Sequence, residues 1–193
     1  MFPPLMQEVP AKEMFDGGGG NRTRATCPPL SSSLGHWLAG FTDGEGCFSI
    51  SRRAVTPGRL KVSANAREFF VCDFRIKVRQ DDADLIEQLP KLTGFGSVAR
   101  QKASLNAGRN NNPSVIWICA TRADTLGIVE LFEQYPLRSK KDRKVWSKAV
   151  RYWNDPIRTR IGLTGRGGQR YRVEQEPLAA LHAELAGLRA YGA

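Results

Sequence analysis

Three stretches of this chain carry residues that could do chemistry together. In Leu38-Ala39-Gly40-Phe41-Thr42-Asp43-Gly44-Glu45-Gly46, the carboxylate of Glu45 is held between two glycines where a helical pattern stops. In Phe74-Arg75-Ile76-Lys77-Val78-Arg79, alternation puts Arg75, Lys77 and Arg79 on one side of an extended segment. Between them, Ser49, Ser51 and Arg53 share one side of a shorter alternating run. Three cations in a row suit phosphate better than plain solvent. Glu45 beside such a face would repel the polyanion that the cations attract, and a divalent cation bridging carboxylate and phosphate resolves the conflict. Ala39 and Gly40 form a small-residue stripe that a second helix could approach closely.

The elements that must position these groups follow from the apolar pattern. Ser31, Ser32 and Ser33 are N-cap candidates before Leu34, Trp37, Leu38 and Phe41, which recur at helical spacing. Phe48 and Ile50 face one way from the first strand, with Cys47, Ser49, Ser51 and Arg53 on the other, and Phe74, Ile76 and Val78 give the second strand its inner face. Pro57-Gly58 opens an irregular connection through Asn65. Asp81-Asp82 can cap a second helix of Leu85, Ile86, Leu89 and Leu92, which Pro90 should distort or shorten. Gly94-Phe95-Gly96 turns into a third strand over 97–102, a polar loop covers 106–113, and a fourth strand covers 115–121. One helix begins at Asp124 with Leu126, Val129, Leu131 and Phe132, and another carries Val145, Trp146, Ala149 and Trp153.

The order α-β-β-α-β-β-α-α predicts an α+β sandwich with helices on one face of an antiparallel sheet and the other face open. Residues 1–30, broken by Pro and Gly, read as a disordered N-terminal tail; 31–155 form the main domain. Residues 156–193 read as a basic linker, with five arginines and no acid from Arg158 to Arg172, and a C-terminal helix striped by Leu178, Leu181, Leu185 and Leu188. That stripe fits a helix docked on its own domain, with a dimer contact or an independent accessory helix as the other readings.

Composition narrows the class. With 29 Lys+Arg against 19 Asp+Glu in 193 residues, the net charge is +10, and 41% hydrophobic residues suffice for a core. The surplus points to a polyanionic partner. No apolar run reaches the ~18 residues of a membrane span, and no secretion signal is evident at Met1-Phe2-Pro3-Pro4, so an intracellular protein is expected. Cys27, Cys47, Cys72 and Cys119 never form a C-x-x-C pair, and only His36 and His182 could join them, so reduced thiols are expected rather than a zinc site.

The nine residues from Leu38 to Gly46 closely resemble the signature of the LAGLIDADG homing endonucleases. Three further stretches, from Phe74 to Asp82, from Gly94 to Gly96 and from Tyr135 to Lys141, stand in the order of that family's later blocks, so the resemblance spans about residues 33–153. It implies the αββαββα fold, whose curved antiparallel sheet is the DNA-binding face. It also implies roles. Glu45 is similar to the acidic metal ligand, assisted by the Gly44 carbonyl, with Mg²⁺ as the cofactor, while Asp43 shapes the helix end. Gln80 resembles a polar residue that orders water near the scissile phosphate, and Lys140 a base that steadies phosphate charge in the transition state. Ser49, Ser51, Arg53, Arg75, Lys77, Arg79, Gln101 and Lys102 then fall on the DNA face. Where some relatives carry a further basic residue one helical turn after Gln80, this chain has Asp84, and that accessory role does not carry over.

One motif copy is present, so the resemblance implies a homodimer paired through Leu38, Ala39, Gly40 and Thr42, reading double-stranded DNA of approximately palindromic layout. The expected activity is Mg²⁺-dependent double-strand cleavage of a long specific site, the chemistry of intron mobility. The alternatives are a cleavage-inactive relative acting as an RNA maturase or regulator, and a basic scaffold whose sheet binds another protein.

Overall fold

In the computed structural model, which describes residues 30–54, 68–103, 112–139, 142–155, 160–163, 169–172 and 174–190, Ser31 caps helix α1 (Ser32–Glu45), its hydroxyl accepting from the Leu34 N–H. Strand β1 (Gly46–Ala54) follows without a loop, and β2 (Glu68–Arg79) pairs with it antiparallel. A single 3₁₀ turn (Gln80–Asp82) leads into α2 (Ala83–Thr93). Then come β3 (Ser97–Gln101), β4 (Ser114–Cys119), α3 (Arg122–Gln134) and α4 (Asp142–Asn154). The four strands form one antiparallel sheet in the order β1-β2-β4-β3, as the expected α+β architecture requires.

The inner face of the sheet is closed by an aromatic cluster. The Phe48 ring lies tilted at 5.0 Å from both Phe74 and Trp146, and Phe74 meets Trp117 at 5.7 Å edge to face. These four rings are fully buried, with Leu38, Ile86 and Phe132 beside them. Burial of each contributes about 1.5–3 kcal/mol, far more than helix propensity does, so this cluster fixes which face points inward. Trp146 also donates its indole N–H to the carbonyls of Ser49 and Asp73, each at 3.1 Å, and thereby pins the β1–β2 register from beneath.

Several boundaries differ from expectation for local reasons. Helix α2 runs three residues past Pro90, to Thr93, because proline there forfeits only one backbone bond. Its end is secured by Thr93 Oγ1 donating to the Leu89 carbonyl at 2.7 Å and by Gly94 at φ 76°. Strand β4 stops at Cys119 because Thr121 is already the N-cap of α3, accepting from the Asp124 N–H at 3.0 Å. The expected loops at 57–65 and 106–111, the tail at 1–29, and Lys140 and Lys141 lie outside the described residues.

Beyond α4, a two-stranded ribbon of β5 (Arg160–Leu163) and β6 (Gln169–Arg172) stands where a linker was expected; its Gly- and Arg-rich sequence lacks an apolar alternation to announce it. Helix α5 (Glu176–Arg189) packs on its own chain against α4 and β1, with Leu178 and Leu185 buried and Leu181 half-buried. Gln175 accepts from the Phe70 N–H at 2.7 Å, while Arg189 donates to the Phe48 carbonyl and pairs with Asp142. Thus α5 lies along β1, the edge strand of the sheet. No helix among the described residues is long and apolar enough to cross a membrane.

Candidate metal centre and nucleic-acid interface

Glu45 owes its position to a junction with no slack. The Gly46 N–H closes α1 on the Thr42 carbonyl, and a Cβ on Gly46 would lie 2.5 Å from Thr42 Cγ2 and 2.6 Å from its carbonyl oxygen. Only glycine lets the helix pass straight into β1 here. Helix termination leaves the last carbonyls, that of Gly44 among them, without intrahelical partners, and the negative end of the helix dipole adds to them. Glu45 is exposed at this end, on an open concavity of about 510 Å³ that it shares with Phe41, Lys77, Arg79, Asp82 and Asn112.

This donor set suits a hard cation: one carboxylate, oxygen dipoles of a helix terminus, and a second acid, Asp82, on the same wall. It is half a site. Among the described residues no group of three or more His, Cys, Asp or Glu side chains converges. Asp82 was expected to cap α2, yet it makes no side-chain cap and lines the concavity instead. The sequence marked it as acidic but gave no means of telling a cap from a wall.

Asp43 faces the other way. Its Oδ2 accepts from the Arg138 N–H at 2.8 Å, and its Oδ1 accepts from the Ser139 N–H at 3.1 Å and the Ser139 hydroxyl at 2.9 Å. It therefore clamps the segment that leads, in sequence, to Lys140. Lys140 itself lies outside the described residues. Gln80 is exposed at the 3₁₀ turn, with its N–H bonded to the Pro113 carbonyl at 3.1 Å.

On the outer face of the sheet, Arg53, Arg75, Lys77, Arg79 and Gln101 are exposed, Ser49 and Ser51 are half-buried, and Lys102 follows just beyond β3. The register sets Arg75 between Cys47 and Ile118, Lys77 beside Ile116, and Arg79 in line with Ser114 and Gln101. Ile116 and Ile118 thus insert apolar surface into the cationic rows. A further departure is Asp73, fully buried on this face, with Oδ1 2.8 Å from Arg75 Nε. Its position two residues before Arg75 was the available clue, since residues i and i+2 of a strand share a face. On the inner side, burial pushes the Cys72 thiol up to about 12, aided by the Asp73 charge and opposed by Arg122; Cys119 is also raised well above its ordinary value, chiefly by burial.

Leu38, Ala39 and Thr42 are buried in this chain's own core, because they sit on the side of α1 that faces β1 and β2. Of the four residues expected to meet a partner, only Gly40 is exposed, with nothing within 4 Å of where its Cβ would be.

A family model described as LAGLIDADG endonuclease matches residues 38–149. A curated relative, a probable intron-encoded endonuclease Cox1-I1b of Schizosaccharomyces pombe, is 28% identical over 113 residues, covering 58% of this chain and 25% of its own. The present chain thus spans about a quarter of that relative's length. Among solved structures, an archaeal intron-encoded homing endonuclease, I-Vdi141I, complexed with DNA, aligns at a TM-score of 0.57 and 14% identity, over 83% of this chain and 87% of that one. The meganuclease I-SmaMI, bound to uncleaveable DNA with a TTGT central four, aligns at 0.56 and 21% identity, over 81% and 46%. At these identities the two structures establish a shared fold.

Proposed function

Because the chain belongs to the LAGLIDADG endonuclease family, we propose that it is a site-specific DNA endonuclease making metal-dependent double-strand breaks as a homodimer. The observation that carries this reading is the shared concavity: Glu45, at the tip of the motif helix, opens on the same space as Lys77 and Arg79. Those two cations would hold backbone phosphate beside the carboxylate. Glu45, the Gly44 carbonyl and a second carboxylate would hold Mg²⁺, which when bound supplies Lewis acidity and positive charge at the scissile phosphate. A single chain supplies one Glu45, so cutting two strands calls for two chains, with Gly40 at the point where the helices meet.

The remaining residues have supporting roles. Gln80 orders the attacking water, Lys140 steadies the charge of the transition state, and Asp43 holds the segment that carries Lys140 in place. Ser49, Ser51, Arg53, Gln101 and Lys102 extend the DNA face on either side of the central cations. We assign catalysis to residues 31–155, with α5 bracing the edge of their sheet. The test is incubation with genomic DNA in Mg²⁺ or in EDTA, followed by sequencing of the ends. Recurrent double-strand ends are expected only in Mg²⁺ and not with Glu45→Gln. DNA binding without recurrent ends would instead establish a cleavage-inactive relative.

A further inference from the structure

We infer that Arg75, locked by the buried carboxylate of Asp73, is a specificity-determining residue that reads a guanine edge, whereas its neighbour Lys77 contacts phosphate; this rests on the DNA-binding reading above. The three cations of β2 are not equivalent. Lys77 is exposed and has no ion pair among the described residues, and Arg79 pairs at 2.9 Å with Asp81, both well exposed to solvent. Arg75 alone is coupled to an acid with no solvent access.

Asp73 cannot be ignored by its neighbours. Ser51 donates to Oδ2 at 3.4 Å and is linked in turn to Ser49 at 3.0 Å. Oδ1 has no aligned hydrogen-bond donor, so its compensation is the charge of Arg75, whose Nε lies 2.8 Å away. Trp146 fixes the Asp73 and Ser49 carbonyls from below, which holds the backbone that carries the carboxylate. If Arg75 swung out to follow a phosphate, a buried charge would be stranded. The ion pair is made through Nε, and the two terminal amino groups of the guanidinium fork have no hydrogen-bond partner among the described residues. That fork matches the O6 and N7 acceptors of guanine. The pair is also nearly neutral overall, which weakens Arg75 as a phosphate magnet and leaves its geometry as its contribution. Ile118, its register partner on β4, lines one side with apolar surface.

The test is selection of bound double-stranded DNA from a randomised library, in EDTA, followed by sequencing, for the parent, Arg75→Lys, Asp73→Asn and Lys77→Ala. The parent should enrich a site in which one guanine per half-site is preferred by roughly 5- to 150-fold. That preference should collapse in Arg75→Lys and in Asp73→Asn, with the salt dependence of binding unchanged in Arg75→Lys and steeper in Asp73→Asn, where Arg75 is free to follow a phosphate. Lys77→Ala should keep the preference and lower the log–log salt slope by about 0.9 for each phosphate that the lysine neutralises in the parent. Arg75→Lys, at a side chain 44% exposed, keeps its charge and tests the contact even if Asp73→Asn does not fold. An enriched site whose guanines are indifferent to Arg75→Lys overturns this assignment alone. A folded Asp73→Asn that retains the preference overturns the lock. A parent that enriches nothing overturns the DNA-binding reading and this inference with it.

Discussion

Asp43→Asn removes one oxygen from a carboxylate that accepts three hydrogen bonds across 95 and 96 residues of sequence. Bonds to a charged acceptor contribute about 1.5–3 kcal/mol each, against about 0.5–1.5 for neutral ones. These three are exposed, so the low end applies and their sum is at most about 4.5 kcal/mol. An amide with its oxygen at the Oδ1 position keeps both Ser139 bonds at about 1 kcal/mol each and loses the Arg138 bond. The expected loss is therefore about 2–3 kcal/mol, or roughly 1 M in the urea midpoint at an m of about 2–3 kcal/mol/M. Asp43→Ala should cost more, and Ser139→Ala, which removes only the hydroxyl bond, less. Fluorescence of the buried Trp117 and Trp146 follows global unfolding, and amide exchange at Arg138 and Ser139 follows the clamp itself. Because Lys140 comes next in sequence, cleavage should fall further than DNA binding. An Asp43→Asn midpoint within about 0.2 M of the parent, or unchanged exchange at both amides, would refute the reasoning.

Glu45→Gln should abolish Mg²⁺-dependent cleavage while DNA binding survives or tightens, since one negative charge leaves the concavity that Lys77 and Arg79 share; gel-shift and cleavage assays check both, and near-parental cutting refutes it. Gly40→Leu meets open space in the monomer and trades glycine for a good helix former, so it should leave stability intact or raise it by up to about 1 kcal/mol. On DNA the same leucine should prise two helices apart, and a variant shown by ultracentrifugation to stay dimeric and active would exclude this seam. With the Cys72 thiol raised from 9.0 to about 12, the unfolded chain loses that proton first. Stability should therefore decline as pH rises from about 9 towards 12, by at most about 1.4 kcal/mol per pH unit from this group. Cys72→Ala should decline less steeply, and parallel curves would count against the assignment.

Local periodicity made most of the framework legible. Phe74, Ile76 and Val78 alternate so regularly with Arg75, Lys77 and Arg79 that strand, faces and cationic row followed together, and all are present in β2. Asp43 was expected to shape the helix end, but its three bonds go to Arg138 and Ser139, partners that could not be read locally. What the sequence withheld depends on three-dimensional neighbours. Small residues such as Ala39 and Thr42 allow close packing without saying against what, and here the answer is β1 and β2 of the same chain. Asp73 drew no reading from the sequence and Asp82 looked like a cap; only the surrounding side chains decide that one is buried and the other lines a concavity.

The reach of Arg189 to the Phe48 carbonyl spans 141 residues. A growing chain that has completed β1 therefore waits for its edge to be covered until the α5 segment has been made, an interval of roughly 7–28 s at about 5–20 residues per second. Throughout that interval the Phe48 carbonyl and the neighbouring Ile50 are open to any passing extended segment. The nearest such segment is the same strand on the next ribosome along the message. Dense ribosome traffic is thus the setting in which this fold is most exposed to mispairing, and the late arrival of one arginine ends the exposure.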